Sequence, residues 1–226
     1  GMIVSEYMNQ GRETEVLNLD LNDADQVKAF LDDLGVIYPQ ASTECKQDDK
    51  RMKQAHRATV KMQNKESPYI DMWRVIRDAS VQGIEQDYDK LGVHFDLWKG
   101  EADAHDEIAP MVENLEYQHL VDESEGARVI HVERSDDQKE IPPLILYKGD
   151  GAVMYGTTDL ATIVQRMRDY DPDRIVYVVD QRQHLHFTQV FRAAYRAGIV
   201  PEDRELFHAG FGTMNGTDGR PFKTRS

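Results

Sequence analysis

Apolar positions in the first 90 or so residues recur at three- to four-residue spacing, and beyond Gly92 they begin to alternate or run together. The first pattern is that of amphipathic helices and the second that of strands. Residues 24–34 are predicted as a short helix, opened by Asn22 and Asp23 and stopped by Gly35. Residues 43–63 are long, polar and rich in Lys, Gln and Arg, with few apolar anchors (Met52, Ala55, Val60, Met62), as in a solvent-exposed helix. Ser67-Pro68 opens another helix, with Pro in the first turn where its missing N–H costs nothing. Met72, Trp73, Ile76, Ala79 and Ile84 mark that helix's core stripe.

Residues 93–98 alternate and predict a strand. Residues 106–118 suit a helix, and residues 128–133 and 144–148 suit strands. Gly149-Asp150-Gly151 is a turn signal, so 144–148 and 152–155 are expected to form a hairpin. From there helix and strand alternate. A helix capped by Thr157 or Thr158 runs to about Tyr170. Residues 174–180 form a near-continuous apolar strand, as buried parallel strands do. A helix from about Gln183 to Ala197 is ended by Gly198, and Pro201 prevents its continuing. Residues 206–211 make a last short strand. This alternation is half of a doubly wound α/β domain, and a half sheet leaves an unpaired edge.

Composition narrows the class. With 226 residues, 40 % apolar and 30 % charged, the chain reads as globular, one large domain or two small ones. No apolar run reaches the ~18 residues of a membrane helix, and no signal-peptide pattern is visible. The single cysteine, Cys45, excludes an internal disulfide framework and a cysteine metal cluster, and makes a reducing, cytoplasmic setting the default. A net charge of −14 repels phosphate backbones and argues against general nucleic-acid wrapping. That charge is uneven. From Arg182 onward there are seven Lys/Arg and four Asp/Glu, which places phosphate chemistry at this end or is a chance cluster at a terminus. Residues 20–25 lack the central Gly and closing Glu of a calcium loop. His184 and His186, two apart on a helix, face different directions, and no metal site is expected.

Ligands of open parallel sheets sit beyond the carboxyl ends of the strands. Residues 180–184 lie at such an end and offer the amide of Gln183. Tyr155 and Asp159, four apart, can point into the same crevice. A phenol, a carboxylate and an amide suit a planar cation, because a carboxylate accepts two parallel bonds from a guanidinium. An Asp near a helix start also serves as a cap or dipole partner. Residues 216–226 are glycine-rich and basic, as in a loop that carries Lys and Arg onto phosphates, or in a frayed terminus.

Four strings then combine: Tyr155-Gly156-Thr157-Thr158-Asp159-Leu160-Ala161; Gln183-His184-x-His186-Phe187-x-Gln189-Val190-Phe191; His208-x-Gly210-Phe211-Gly212; and Asp218-Gly219-Arg220-Pro221-Phe222-Lys223-Thr224-Arg225-Ser226. In order and spacing they resemble the arginyl-tRNA synthetases of class I. Phe95-Asp96 with Gly100-Glu101, Glu123-Ser124-x-Gly126-Ala127, and Lys148-x-Asp150-Gly151-Ala152 resemble that family more loosely. The likeness covers roughly residues 67–226, and residues 1–66 resemble it least.

The resemblance implies a fold: the C-terminal half of a Rossmann-type parallel-sheet catalytic domain (residues 145–226) behind a helix-rich α+β connecting insertion (residues 1–144). It implies that Tyr155, Asp159 and Gln183 recognise arginine. It also implies that the stretch holding His208, Gly210, Phe211, Gly212 and Met214 holds the adenine of ATP. Residues 222–226 stand where the second class I signature, KMSKS, is found, in degenerate form. There Lys223, Thr224, Arg225 and Ser226 meet the nucleotide, with Lys223 and Arg225 as catalytic cations; which of the two meets the pyrophosphate stays open. The first signature, of the HIGH type, and the anticodon-reading helical domain are absent, so an internal fragment, inactive alone, is expected. The implied reaction is ATP-dependent activation of arginine followed by transfer to tRNA-Arg. Magnesium accompanies ATP, no cofactor is tightly bound, and tRNA is met mostly through other segments. Two alternatives stand beside it. One is a non-catalytic module, derived from a class I synthetase, that docks tRNA or protein. The other is a class I ligase for another amino acid, which would not need a carboxylate aimed at a cationic side chain.

Overall fold

The computed structural model describes residues 1–149, 151–213, 215–217 and 219. The chain divides into two compact units, residues 1–98 and the residues from 99 onward.

The first unit is helical: α1 (Met2–Asn9), α2 (Glu13–Leu17), α3 (Ala24–Gln47), α4 (Asp49–Gln63) and α5 (Tyr69–Lys90). Its core is built from Val4, Tyr7, Val16, Val27, Phe30, Leu34, Ile37, Met72 and Ala79. Tyr7 stacks on Phe30 and donates its hydroxyl to Asp33 at 2.7 Å. The helix expected to stop at Gly35 instead runs on through Gly35 and Pro39 to Gln47. Gly costs a helix interior about 1 kcal/mol and Pro about 3. The buried stripe Val27, Phe30, Leu34, Ile37, Ala41 and Cys45 continues past both residues at helical spacing, and its burial outweighs those local costs. The single helix expected over residues 43–63 is broken at Asp48. That residue is extended (φ −131°, ψ 111°) and caps α4 by accepting from the Lys50 N–H. Residues 93–98 form no strand. Their alternation instead serves a ring cluster in which Phe95 meets Tyr88 and Trp98 edge-on, at 4.8 and 5.2 Å between centroids.

In the second unit, α6 (His105–Tyr117) precedes an antiparallel sheet of β1 (Asp122–Ser124), β2 (Ala127–Ile130) and β3 (Leu144–Tyr147), in the order β1-β2-β3. Then come α7 (Tyr155–Tyr170), β4 (Arg174–Asp180), α8 (His184–Arg196) and β5 (Glu205–Phe211). β4 and β5 pair in parallel, from Arg174 opposite Glu205 to Asp180 opposite Phe211. One apolar core runs beneath these elements, including Ile108, Leu115, Leu146, Leu160, Ile163, Tyr177, Val190 and Leu206. The hairpin after β3 exists in its hydrogen bonds: the Lys148 N–H donates to Ala152 and the Met154 N–H to Leu146. Among the described residues its second arm makes a single bridge, Val153 to Tyr147.

The strand read as near-continuously apolar is covered on one face only by the described residues. Ile175 and Tyr177 are buried, whereas Val176, Val178, Phe207 and Phe211 are exposed, Val178 at 68 %.

Candidate functional site

The chain's direction places the site. α7 ends at Asp171 in a left-handed conformation (φ 41°), and after a short link β4 runs back. The start of α7 therefore lies at the carboxyl end of β4, where α8 also begins. Tyr155 is the first residue of α7, Asp159 lies one turn later, and Gln183 is the cap residue of α8. The three sequence candidates thus gather at one end of the parallel pair.

The start of α7 is fixed from below. It begins at Tyr155, not at the expected caps Thr157 or Thr158, and has no side-chain cap. Thr157, fully buried, spends its hydroxyl on the carbonyl of Leu146 in β3 at 2.6 Å. Gly156 is buried too, and a Cβ there would collide with the Leu144 side chain. β3 and the first turn of α7 therefore meet closely, and Tyr155 is turned outward, 72 % exposed.

Asp159 is partly buried and accepts from His186 Nε2 at 2.6 Å. Its second oxygen, Oδ1, makes no hydrogen bond among the described residues. Beneath the pair lie Tyr177, Phe187 and His208, with ring centroids 4.9 Å apart for Tyr177–Phe187 and for Phe187–His208. Burial pushes the Tyr177 hydroxyl up to about 12; the Arg166 guanidinium over its ring opposes this and the charge of Asp159 adds to it. Gln183 is exposed at the head of α8.

At the tip of β4, the Arg182 guanidinium folds onto Asp180 with bonds of 3.0 and 2.8 Å and, with the Arg182 backbone N–H, holds that carboxyl below its ordinary value. Arg192 forms a fork on Asp137 at 2.6 and 2.7 Å, and Arg204 pairs with Asp173. Arg182, Arg192 and Arg204 of the basic end are thus engaged by carboxylates of this unit, and Arg196 donates to the His131 carbonyl.

Of the expected adenine segment, His208 lies on β5 with Nε2 3.1 Å from the carbonyl of Val179, and its Nδ1 is buried without a hydrogen-bond partner among the described residues. Gly210 makes room for Gln181: a Cβ there would strike that side chain and lie 3.2 Å from its Cα. Phe211 and Gly212 are exposed at the strand's end. Met214, Lys223, Thr224, Arg225 and Ser226 lie outside the described residues.

His186 is the residue that sequence spacing missed. Among the described residues no group of three or more His, Cys, Asp or Glu is placed to hold a metal ion. The partner of His186 lies 27 residues upstream. The usable signal was topological: an acid one turn into one helix, and an imidazole in the first turn of the next, at the same end of a parallel pair.

Known proteins share this framework. The family model for tRNA synthetases class I (R), catalytic domain, matches residues 11–226. The arginine–tRNA ligase of Agathobacter rectalis is 48 % identical over 195 residues, which are 86 % of this chain and 33 % of that protein. That of Francisella tularensis subsp. novicida is 48 % identical over 193 residues, 85 % of this chain and 32 % of its own length. The chain therefore spans about one third of the length of these relatives. The crystal structure of the arginyl-tRNA synthetase from Plasmodium falciparum superposes with a TM-score of 0.65 at 20 % identity, covering 88 % of this chain and 33 % of that one, a likeness of fold. With the family model matched over nearly its whole length, the chain belongs to the class I tRNA synthetases of the arginine type, within their catalytic domain.

Proposed function

We propose that this chain supplies the arginine-binding side of an arginine–tRNA ligase, with Asp159 as the anion that receives the substrate's guanidinium. One observation carries this reading: at the carboxyl end of a parallel strand pair, the Asp159 carboxylate is steadied through one oxygen, while the other makes no hydrogen bond among the described residues. Tyr155, four residues earlier on α7, and Gln183, at the head of α8, flank it as further polar partners. A fork of two N–H groups on a carboxylate is the geometry that separates a guanidinium from an ammonium. We assign residues 145–226 to the second half of the catalytic domain and residues 1–144 to the connecting insertion, a division by role.

In the reaction, arginine's carboxylate attacks the α-phosphate of ATP and pyrophosphate leaves; the arginyl group then passes from the adenylate to the terminal adenosine of tRNA-Arg. The work of this chain's residues is to hold and orient arginine. β5 fits the adenine role in one respect. It pairs only with β4 among the described residues, so backbone groups on its other edge are available to a base. His208, Gly210, Phe211, Gly212 and Met214 line that stretch in our reading, and Lys223, Thr224, Arg225 and Ser226 attend the phosphates. Magnesium would enter on the nucleotide's phosphates. The setting we propose is cytoplasmic; among the described residues no helix is long and apolar enough to cross a membrane.

The test replaces the corresponding third of a full-length relative by this chain and measures charging of tRNA-Arg. The chimaera is expected to charge, and Asp159→Ala within it to lose arginine activation. A folded chimaera whose Michaelis constant and rate are unchanged by Asp159→Ala would remove the assignment.

A further inference from the structure

Asp159 and His186 sit on different helices, 27 residues apart, yet their side chains close to 2.6 Å. An ionised carboxylate only accepts, so Nε2 of the imidazole carries the hydrogen. The bond reaches one oxygen, Oδ2, and the pair stays open to solvent, with 29 % of the Asp159 side chain and 26 % of the His186 side chain exposed. A carboxylate has about four acceptor directions, so one imidazole N–H leaves room for the two parallel bonds of a guanidinium. An Arg or Lys partner would cancel the carboxylate's charge. An imidazole bound through one N–H fixes the rotation of the group and leaves its other acceptor directions open.

His186 is itself held in position. Its ring stands edge-on to Phe187, at 5.2 Å and 74°. Phe187 is buried between Tyr177 and His208. The torsion that sets the plane of an Asp carboxylate is broad and soft, so nothing intrinsic to Asp159 would fix that plane.

Resting on the arginine-pocket reading above, we propose that His186 is a positioning residue for substrate choice: its Nε2–H sets the plane of the Asp159 carboxylate so that both oxygens meet the edge of a guanidinium. A planar fork needs that plane fixed; a lysine ammonium, a point charge, does not. His186 therefore acts on discrimination between the two cationic amino acids more than on binding of cations in general.

The experiment is calorimetric titration of the whole chain with L-arginine and L-lysine, for the unmodified protein, His186→Gln and His186→Met, with melting temperatures alongside. The Gln amide N–H reaches the same place as Nε2–H; Met fills the space without a donor. His186→Gln is expected to bind arginine within about threefold of the unmodified chain, and His186→Met about tenfold more weakly, the loss of a hydrogen bond to a charged group. Lysine binding is expected to change little, so the arginine preference falls by the same factor. Arginine affinity unchanged in His186→Met, or falling equally in His186→Gln, would overturn the role of His186 and leave the pocket standing. An unmodified chain that does not bind arginine would remove the pocket and this proposal together. Histidine 15N spectra of the unmodified chain need no variant: the His186 Nε2 resonance is expected to be protonated and to shift with arginine, and indifference to arginine would overturn the proposal.

Discussion

At the scale of single residues, the site is a charged group resting on a buried aromatic floor. Asp159→Asn keeps the size and removes the charge. Arginine binding by calorimetry is expected to weaken about 10- to 100-fold, since charge-assisted bonds contribute about 1.5–3 kcal/mol each. Tyr177 tests the floor. Its hydroxyl is pushed by burial from 10.0 up to about 12. A folded value above the ordinary one means that the neutral phenol's contribution is fully present below about pH 10 and is lost as pH rises through about 12. Tyrosinate absorbance is expected to show a late component near 12 that Tyr177→Phe removes; a titration unchanged by Tyr177→Phe would count against the buried floor. The placement of Tyr155 and Asp159 one turn apart and of Gln183 at the strand tip was legible in the sequence, because i, i+4 spacing and the strand tip are local features. The pairing of Asp159 with His186 was not, because it depends on how α7 packs against α8, which no local spacing encodes.

At the scale of elements, α7 and α8 must both be held for their first turns to meet. α7 is pinned by Thr157 on the Leu146 carbonyl. Thr157→Val is expected to cost about 1–2 kcal/mol and to lower the melting temperature by a few degrees, weakening arginine binding as the start of α7 loosens. An unchanged melt would show that the bond does not anchor the helix. α8 is pinned by Arg192 on Asp137, by Arg196 on the His131 carbonyl at 2.7 Å and by Gln189 on the Pro142 carbonyl at 2.8 Å. Arg192, together with the backbone N–H of Arg134, holds the Asp137 carboxyl down to about 2. A depressed folded value means that this stabilisation is present above the ordinary 3.8 and lost as pH falls through about 2. Melting temperatures between pH 5 and 2 should therefore fall less steeply in Asp137→Asn than in the unmodified chain, and identical slopes would contradict the pairing.

Element type was read correctly wherever periodicity was strong, as in α5, α6, α7, β4 and α8. It failed at Gly35, where tertiary burial carries α3 past the expected stop and on through Pro39, and at residues 93–98, where alternation belongs to packed rings with no neighbouring strand among the described residues. The start of α7 moved because Thr157 faces β3 instead of the helix end.

At the scale of the whole molecule, the parallel pair sets its outer face apart from its inner one. Val176, Val178, Phe207 and Phe211 lie exposed on strands of a kind normally covered on both sides. The isolated chain is expected to self-associate as its concentration rises, and Val178→Lys to suppress this; sedimentation that stays monomeric for the unmodified chain at every concentration would contradict it. The alternation of helix and strand was enough to read a parallel arrangement from sequence. It could not show one-sided burial, because the same apolar run serves whatever covers its faces.

The central claim is that Asp159 receives a guanidinium, and the most direct measurement compares L-arginine with L-citrulline, its neutral near-isostere, by amide NMR titration of the whole chain. Arginine is expected to shift the resonances of Tyr155, Asp159, Gln183 and His186 saturably, citrulline to leave them in place, and Asp159→Asn to abolish the arginine response. Equal shifts with citrulline, or an undiminished response in Asp159→Asn, would contradict it.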